Sequence, residues 1–137
     1  MTVVPTTLFA QNTSAQKDTL QTLLAAYIGA NTVSEARVTL AVAPLVDNGN
    51  SVPVEVTVDS PMTAADHVVS IAIFNEKNPQ PNVAEFILTS QTGRAQVATR
   101  IRLSTTQKLV AIAKMNDGRC YTHTVEVLVT LAACIEE

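Results

Sequence analysis

Residues 52–58 read VPVEVTV, and this alternation of valines with other residues is the clearest β-strand signal in the chain. Side chains two positions apart lie on the same face of a β-strand, so the four valines share one buried face. Glu55 and Thr57 then lie on the opposite face. Pro53 cannot donate a backbone hydrogen bond, which places this segment at a sheet edge or makes Pro53 a strand start.

Six further segments around this one are predicted to be strands separated by turn residues. They span residues 37–42, 68–74, 83–89, 95–103, 109–115 and 121–131. Asn116-Asp117-Gly118 joins the last two as a tight hairpin turn. About seven strands without intervening helices predict an all-β fold, an immunoglobulin-like antiparallel β-sandwich.

The same alternation assigns individual side chains to the core or to the surface of the sandwich. The expected core includes Val54, Val56, Ile101 and Val127. Arg100 and Arg102 alternate with Ile101, so they are expected to point to solvent or to a partner.

One amphipathic helix is predicted before the strands. Its apolar stripe consists of Leu20, Leu23, Leu24, Tyr27 and Ile28. We expect Ser14 to be the N-cap, with Lys17 and Asp18 in the first turn, and Gly29 to end the helix. The chain then divides into a flexible N-terminal segment (1–13), one domain of helix and sandwich (14–131) and a C-terminal arm (132–137).

Composition excludes several classes of function. Nine basic and twelve acidic residues give a net charge of −3, which disfavours nucleic-acid binding through a basic surface. No apolar run approaches the roughly 18 residues of a membrane span. Two cysteines and two histidines are too few for most metal sites, and four glycines form no phosphate-binding motif. The sequence therefore predicts no cofactor and no metal.

The polar residues form no catalytic constellation. His67 and His123 are the only imidazoles in the chain, and both are interpreted as surface or hydrogen-bonded strand residues. The carboxylates are scattered through turns and outer faces without a spacing typical of a catalytic pair. Because no nucleophile–base pair is evident, the sequence predicts that the chain is not an enzyme.

The two cysteines are predicted to act separately. Cys120 opens the last strand and Cys134 follows that strand, about 45 Å away if the strand is straight. A disulfide requires Cα atoms within about 7 Å, so an intrachain bridge is not expected. Cys120 is interpreted as a small, partly buried apolar residue. Cys134 is either an accessible attachment point, a site of intermolecular disulfide formation, or a thiol without a role.

Several motifs together resemble the SoxY sulfur-carrier proteins. They are Asn48-Gly49-Asn50-Ser51-Val52-Pro53-Val54, Val58-Asp59-Ser60-Pro61-Met62, Ile73-Phe74 with Asn78-Pro79, Gly93-Arg94-Ala95, Thr99-Arg100-Ile101-Arg102-Leu103 and Asp117-Gly118. With the helix they cover roughly residues 18–134 in family order. The resemblance implies an immunoglobulin-like fold, pairing with SoxZ, and a periplasmic, non-enzymatic role in thiosulfate oxidation.

The resemblance also implies that Cys134 carries sulfur intermediates covalently between SoxAX, SoxB and SoxCD. Residues 131–137 read LAACIEE, whereas the family ends in Gly-Gly-Cys-Gly-Gly, so this tail is atypical. Glu136 and Glu137 disfavour a thiolate beside them, so we expect a raised pKa for Cys134. The alternative hypothesis is a SoxY-like binding or structural module that has lost carrier chemistry. Without SoxZ, we expect the chain to associate with a second copy of itself.

Overall fold

The computed structural model describes residues 19–130 as one helix and nine strands. The elements are α1 (Leu20–Ile28), β1 (Val33–Ser34), β2 (Val38–Ala41), β3 (Leu45–Val46), β4 (Val52–Val58), β5 (Val68–Asn75), β6 (Asn82–Ile87), β7 (Gln96–Ile101), β8 (Gln107–Met115) and β9 (Cys120–Val129). The predicted N-terminal segment 1–13 and C-terminal arm 132–137 lie outside the described residues.

The strands form two facing sheets. The larger has the order β1-β9-β8-β5-β6, with β3 also paired to β9, and the smaller has the order β2-β4-β7. The seven longer strands pair antiparallel, which confirms the predicted all-β, immunoglobulin-like sandwich with one helix. The two-residue strands β1 and β3 run parallel to β9. They were not predicted, because two residues are too few to show a period.

The VPVEVTV segment forms β4 at the centre of the smaller sheet. Its valines are all buried, which confirms the predicted inner face. The interpretation of this segment as a sheet edge is wrong, since β4 lies between β2 and β7. Pro53 is instead close to the strand start, as the second residue of β4. The pairing of β2 with β4 runs only as far as Ala41 and Glu55, so Pro53 has a ladder partner in β7 alone.

The main core lies between the two sheets. Its most deeply buried side chains include Val52, Val56, Val68, Ile71, Ile73, Leu103, Leu109 and Val127. The predicted core residues Val54, Val56, Ile101 and Val127 are all buried, and Arg100 and Arg102 are exposed, as expected. The β4–β7 register pairs Val52 with Ile101, which places both side chains on the same inward face.

Helix α1 covers the outer face of the larger sheet. Its predicted stripe packs over a second cluster of buried residues, namely Ala72, Phe74, Ile112 and Cys120. Thr19 is the N-cap, since its hydroxyl accepts a hydrogen bond of 3.1 Å from the backbone N–H of Thr22. The prediction of Ser14 as N-cap is therefore wrong. Gly29 ends the helix at a φ of 64°, as expected for a residue without a Cβ.

Across residues 19–130, the one helix is too short to span a bilayer.

We expect Ile101→Ala to lower the free energy of unfolding by about 2–5 kcal/mol, because it removes a buried side chain and leaves a cavity. Urea denaturation followed by circular dichroism measures the change. The matched control is Arg102→Ala, which truncates the exposed residue directly after Ile101. Equal stability of the Ile101→Ala and wild-type proteins would contradict the β4–β7 register.

Candidate functional site

The candidate attachment residue Cys134 lies outside the described residues, but the strand that leads to it is defined as far as Thr130. The backbone N–H of Thr130 donates to the carbonyl oxygen of Val46 at 3.0 Å. Its hydroxyl lies 3.2 Å from the carbonyl oxygen of Asp47. Strand β3 runs beside the end of β9, pairing Val46 with Val129. The sandwich therefore holds the chain up to Thr130, four positions before Cys134.

A polar network supports this end of β9 from the side of the larger sheet. The backbone N–H of Val129 donates to the hydroxyl of Thr106 at 2.9 Å. Next to Thr106, Gln107 is only 1% exposed, and its amide donates to Asn78 Oδ1 at 2.8 Å. Asn78 Oδ1 also accepts from the backbone N–H and hydroxyl of Ser104, at 3.0 and 2.8 Å. One side chain thus connects the loop after β5 with the loop before β8.

This network was not predicted as part of the site. Asn78-Pro79 is among the motifs that resemble SoxY, and this resemblance was the one indication in the sequence that Asn78 has a specific role. The role of Asn78 could be recognised only from the fold, because the partners of its side chain lie 24 to 29 positions away along the chain.

Cys120 lies at the opposite end of β9, and the helix covers it. It is 1% exposed, more deeply buried than the partly buried state that we predicted. Burial raises the pKa of the Cys120 thiol, and the nearby ammonium group of Lys114 only partly opposes this. A buried neutral thiol is a poor nucleophile, so Cys120 is a core residue and not a candidate attachment site.

The helix residue Tyr27 packs against the same cluster of buried residues that includes Cys120. Its hydroxyl is hydrogen-bonded to Ser70, and its ring meets the Phe74 ring edge-to-face with centroids 6.0 Å apart. The ammonium group of Lys114 lies 4.6 Å from the centre of the Tyr27 ring. Burial raises the pKa of Tyr27 to about 12, so the phenol stays neutral.

The length of β9 separates Cys120 from Thr130, the last described residue before Cys134. The strand runs without a bulge against β8 from Cys120 to Val127, and ten residues at about 3.3 Å each separate Cys120 from Thr130 by about 33 Å. From Thr130, four residues reach at most about 14 Å. A bridge between Cys120 and Cys134 would therefore require β9 to break.

Both histidines have structural hydrogen bonds, which confirms their interpretation as satisfied residues. His67 Nδ1 lies 2.9 Å from the carbonyl oxygen of Thr63. His123 Nδ1 accepts the backbone N–H of Leu40 at 2.9 Å and so joins the two sheets. In the part of the chain that the structure describes, no three His, Cys, Asp or Glu residues are grouped to hold a metal ion.

The sequence model of the family described as "Sulfur oxidation protein SoxY" matches residues 24–134. The chain belongs to the SoxY family. The match includes the helix stripe from Leu24 onward, both sheets and the Asn78 network, and its last residue is Cys134. No curated protein sequence matches the chain.

Solved structures support the SoxY fold. The sulfur carrier protein SoxY from Chlorobium limicola f thiosulfatophilum is 28% identical, with a TM-score of 0.68, over 86% of this chain and 100% of that chain. A superoxide reductase (neelaredoxin) from Ignicoccus hospitalis is 17% identical, with a TM-score of 0.61, over 69% of this chain and 80% of its own. The superoxide reductase from Nanoarchaeum equitans is 12% identical, with a TM-score of 0.57, over 68% of this chain and 93% of that chain. The two reductases show similarity of fold alone.

We expect Asn78→Ala to lower the free energy of unfolding by about 1–3 kcal/mol, because it removes the shared acceptor of Ser104 and the buried Gln107 amide and leaves that amide only the carbonyl oxygen of Thr105. Urea denaturation measures the loss. The matched control is Asn82→Ala, which removes an exposed amide at the start of β6 and should change stability by less than about 0.5 kcal/mol. Equal effects of the two substitutions would show that the network does not stabilise this end of the sandwich.

Proposed function

We propose that this SoxY-family protein is a sulfur carrier that holds sulfur intermediates covalently on the thiol of Cys134. The observation that carries the proposal is the family match, which extends to Cys134. Two features of the fold support it. The other thiol, Cys120, is buried beneath the helix, and the described part of the chain is bonded to the sandwich as far as Thr130.

A thiol at this position has the chemistry that a carrier needs. Its thiolate can attack a sulfur atom of a polysulfide, form a new S–S bond and displace a polysulfide shorter by one sulfur atom. The product is a persulfide on Cys134, and no external oxidant is required, because one S–S bond forms as another breaks. Glu136 and Glu137 disfavour the thiolate, so loading should be slow near neutral pH.

We further propose that the chain pairs with SoxZ in the periplasm and meets SoxAX, SoxB and SoxCD transiently, as family membership implies. The open edge of the larger sheet supports a pairing role. Strand β6 forms that edge, and among residues 19–130 no strand pairs with its outer side. Ile87 at its end is 76% exposed. An exposed apolar side chain on an unpaired edge is typical of a surface that a second β-protein covers.

The carrier proposal is tested by loading the thiols with polysulfide and with iodoacetamide, followed by intact mass and peptide mapping. We expect Cys134→Ser to lose uptake of both reagents, because the remaining thiol is buried. The matched variant Cys120→Ala should load as the wild type does. Uptake by Cys134→Ser at the wild-type rate would contradict the proposal. Alkylation of Cys134 without any uptake of sulfur would favour the module that has lost carrier chemistry.

The pairing proposal is tested by sedimentation velocity with and without SoxZ. We expect a heterodimer with SoxZ and self-association in its absence. Ile87→Lys should weaken pairing roughly 10- to 100-fold, because it removes one buried apolar side chain from the interface. Leu45→Lys, at an exposed position beside the end of β9, serves as control and should pair normally. A monomer under all conditions would overturn the pairing proposal.

A further inference from the structure

Two exposed leucines lie side by side at the end of β9 that leads out of the sandwich. The parallel register pairs Leu45 of β3 with Leu128 of β9, and these residues are 56% and 50% exposed. Their neighbours Val46 and Val127 are buried and point inward, so both leucines lie on the outer face of the larger sheet. Pro44, directly before Leu45, is exposed as well. We call Leu45 and Leu128 the leucine patch.

The fold holds the leucine patch in a fixed position. The backbone N–H of Leu128 donates to the carbonyl oxygen of Pro44 at 2.8 Å. The backbone N–H of Thr130 donates to the carbonyl oxygen of Val46 at 3.0 Å, so β3 is bonded to β9 on both sides of Leu45. Among residues 19–130, no strand pairs with the other side of β3. A partner can therefore cover the patch without the cost of ordering it.

The leucine patch differs from the other exposed apolar positions because its members are adjacent. Residues 19–130 hold two further large apolar residues with high exposure, Val33 and Ile87. Val33 pairs with Cys120 at the opposite end of β9. Ile87 lies on the opposite edge of the larger sheet, and the register through Ser70 and Lys114 places it at the Cys120 end. Single exposed apolar residues are ordinary, whereas adjacent ones are typical of a contact surface.

A partner on the β6 edge leaves the leucine patch open. Four strand spacings of about 4.8 Å separate β3 from β6, and Leu128 lies eight positions after Cys120 along β9. Ile87 is therefore roughly 30 Å from the patch. The edge proposed above for SoxZ and the leucine patch can thus be occupied by two different proteins at the same time.

The short chain between Thr130 and Cys134 limits where a protein that reacts with this thiol can lie. Cys134 is four positions beyond Thr130, so its Cα lies within about 14 Å of Thr130 in any conformation. Active-site pockets of about 300–1,000 Å³ are roughly 7–10 Å deep. A protein that takes the thiol into such a pocket therefore brings its rim to within about 7 Å of Thr130. Leu128 is two positions before Thr130, so the leucine patch lies directly beside that rim.

We propose that the leucine patch is the surface on which a protein that exchanges sulfur with Cys134 docks. The occupant is a protein with an apolar rim around a pocket that admits a thiol, and this assignment rests on the carrier function proposed above. Burial of Leu45 and Leu128 beneath the rim places the pocket over the start of the arm. The patch, in addition to the thiol, then selects which proteins react with the carrier.

Docking is tested with the full chain bearing Cys134→Ser and paired with SoxZ, so that no sulfur chemistry is involved. SoxAX, SoxB and SoxCD are the probes, and biolayer interferometry measures their dissociation constants. We expect Leu45→Lys and Leu128→Lys each to raise the dissociation constant of at least one probe roughly 10- to 100-fold, because a buried apolar side chain is replaced by a charge. Urea denaturation checks that both variants are folded.

The matched control is Val33→Lys, which adds the same charge beside the opposite end of β9. It should bind the probes as Cys134→Ser alone does. Unchanged binding by both leucine variants, an equal loss with Val33→Lys, or no binding of any probe would overturn the proposal. Loss of SoxZ pairing in Leu45→Lys would overturn it in favour of SoxZ as the occupant.

Turnover by the chain with its native Cys134 separates docking from the carrier function. In thiosulfate consumption by SoxAX, SoxB and SoxCD, we expect Leu128→Lys to raise KM for the chain roughly 10- to 100-fold and to leave kcat within about twofold, because the thiol is unchanged. Iodoacetamide needs no docking and should alkylate Cys134 in this variant at the wild-type rate. If the wild-type protein shows neither polysulfide uptake nor turnover, the carrier proposal fails, while the dissociation constants still decide whether the patch is a docking surface.

Discussion

The unbroken pairing of β8 with β9 is the constraint on which the arrangement of the molecule depends. Its register runs from Gln107 opposite Val127 to Lys114 opposite Cys120, and it holds β9 extended over ten residues. One end of that strand lies beneath the helix, and the other ends in bonds to β3 and to Thr106. A single strand thus places Cys120 beneath the helix at one end and Thr130, the last described residue before Cys134, at the other.

The fold was predictable where side chains repeat with a regular period. The alternation of valines in β4 identified the inner face, and the stripe of α1 identified the helix. Features that do not depend on a repeating pattern of side chains, such as the N-cap of the helix and the burial of Cys120, were predicted incorrectly. Ser14 and Thr19 are both hydroxyl residues suited to an N-cap, and local sequence does not rank them. The complete burial of Cys120 depends on which sheet face the helix covers, and a stripe alone does not specify its partner.

The sequence identified the candidate attachment residue, but it did not predict the contacts that hold the chain near that residue. The position of Cys134 after the last strand, together with the resemblance to SoxY, identified it before any fold was known. Its role stays a prediction, because the described residues end at Thr130. The residues that fix the start of the arm were not foreseen. Asn78, Thr106 and Gln107 form hydrogen bonds between segments that are distant in the sequence. Such contacts produce no repeating pattern of residues from which they could be predicted.

The anchoring of the chain at Thr130 separates the evolution of the arm from that of the fold. Residues inserted after this point change no strand register among residues 19–130, and each one lengthens the chain before Cys134 by up to about 3.3 Å. An insertion one position earlier in the pairing, within β9, would turn every following side chain to the opposite face of the sheet. Insertions at this short stretch can therefore change the distance along the chain between the sandwich and Cys134 without changing the pairing of β9 with β8.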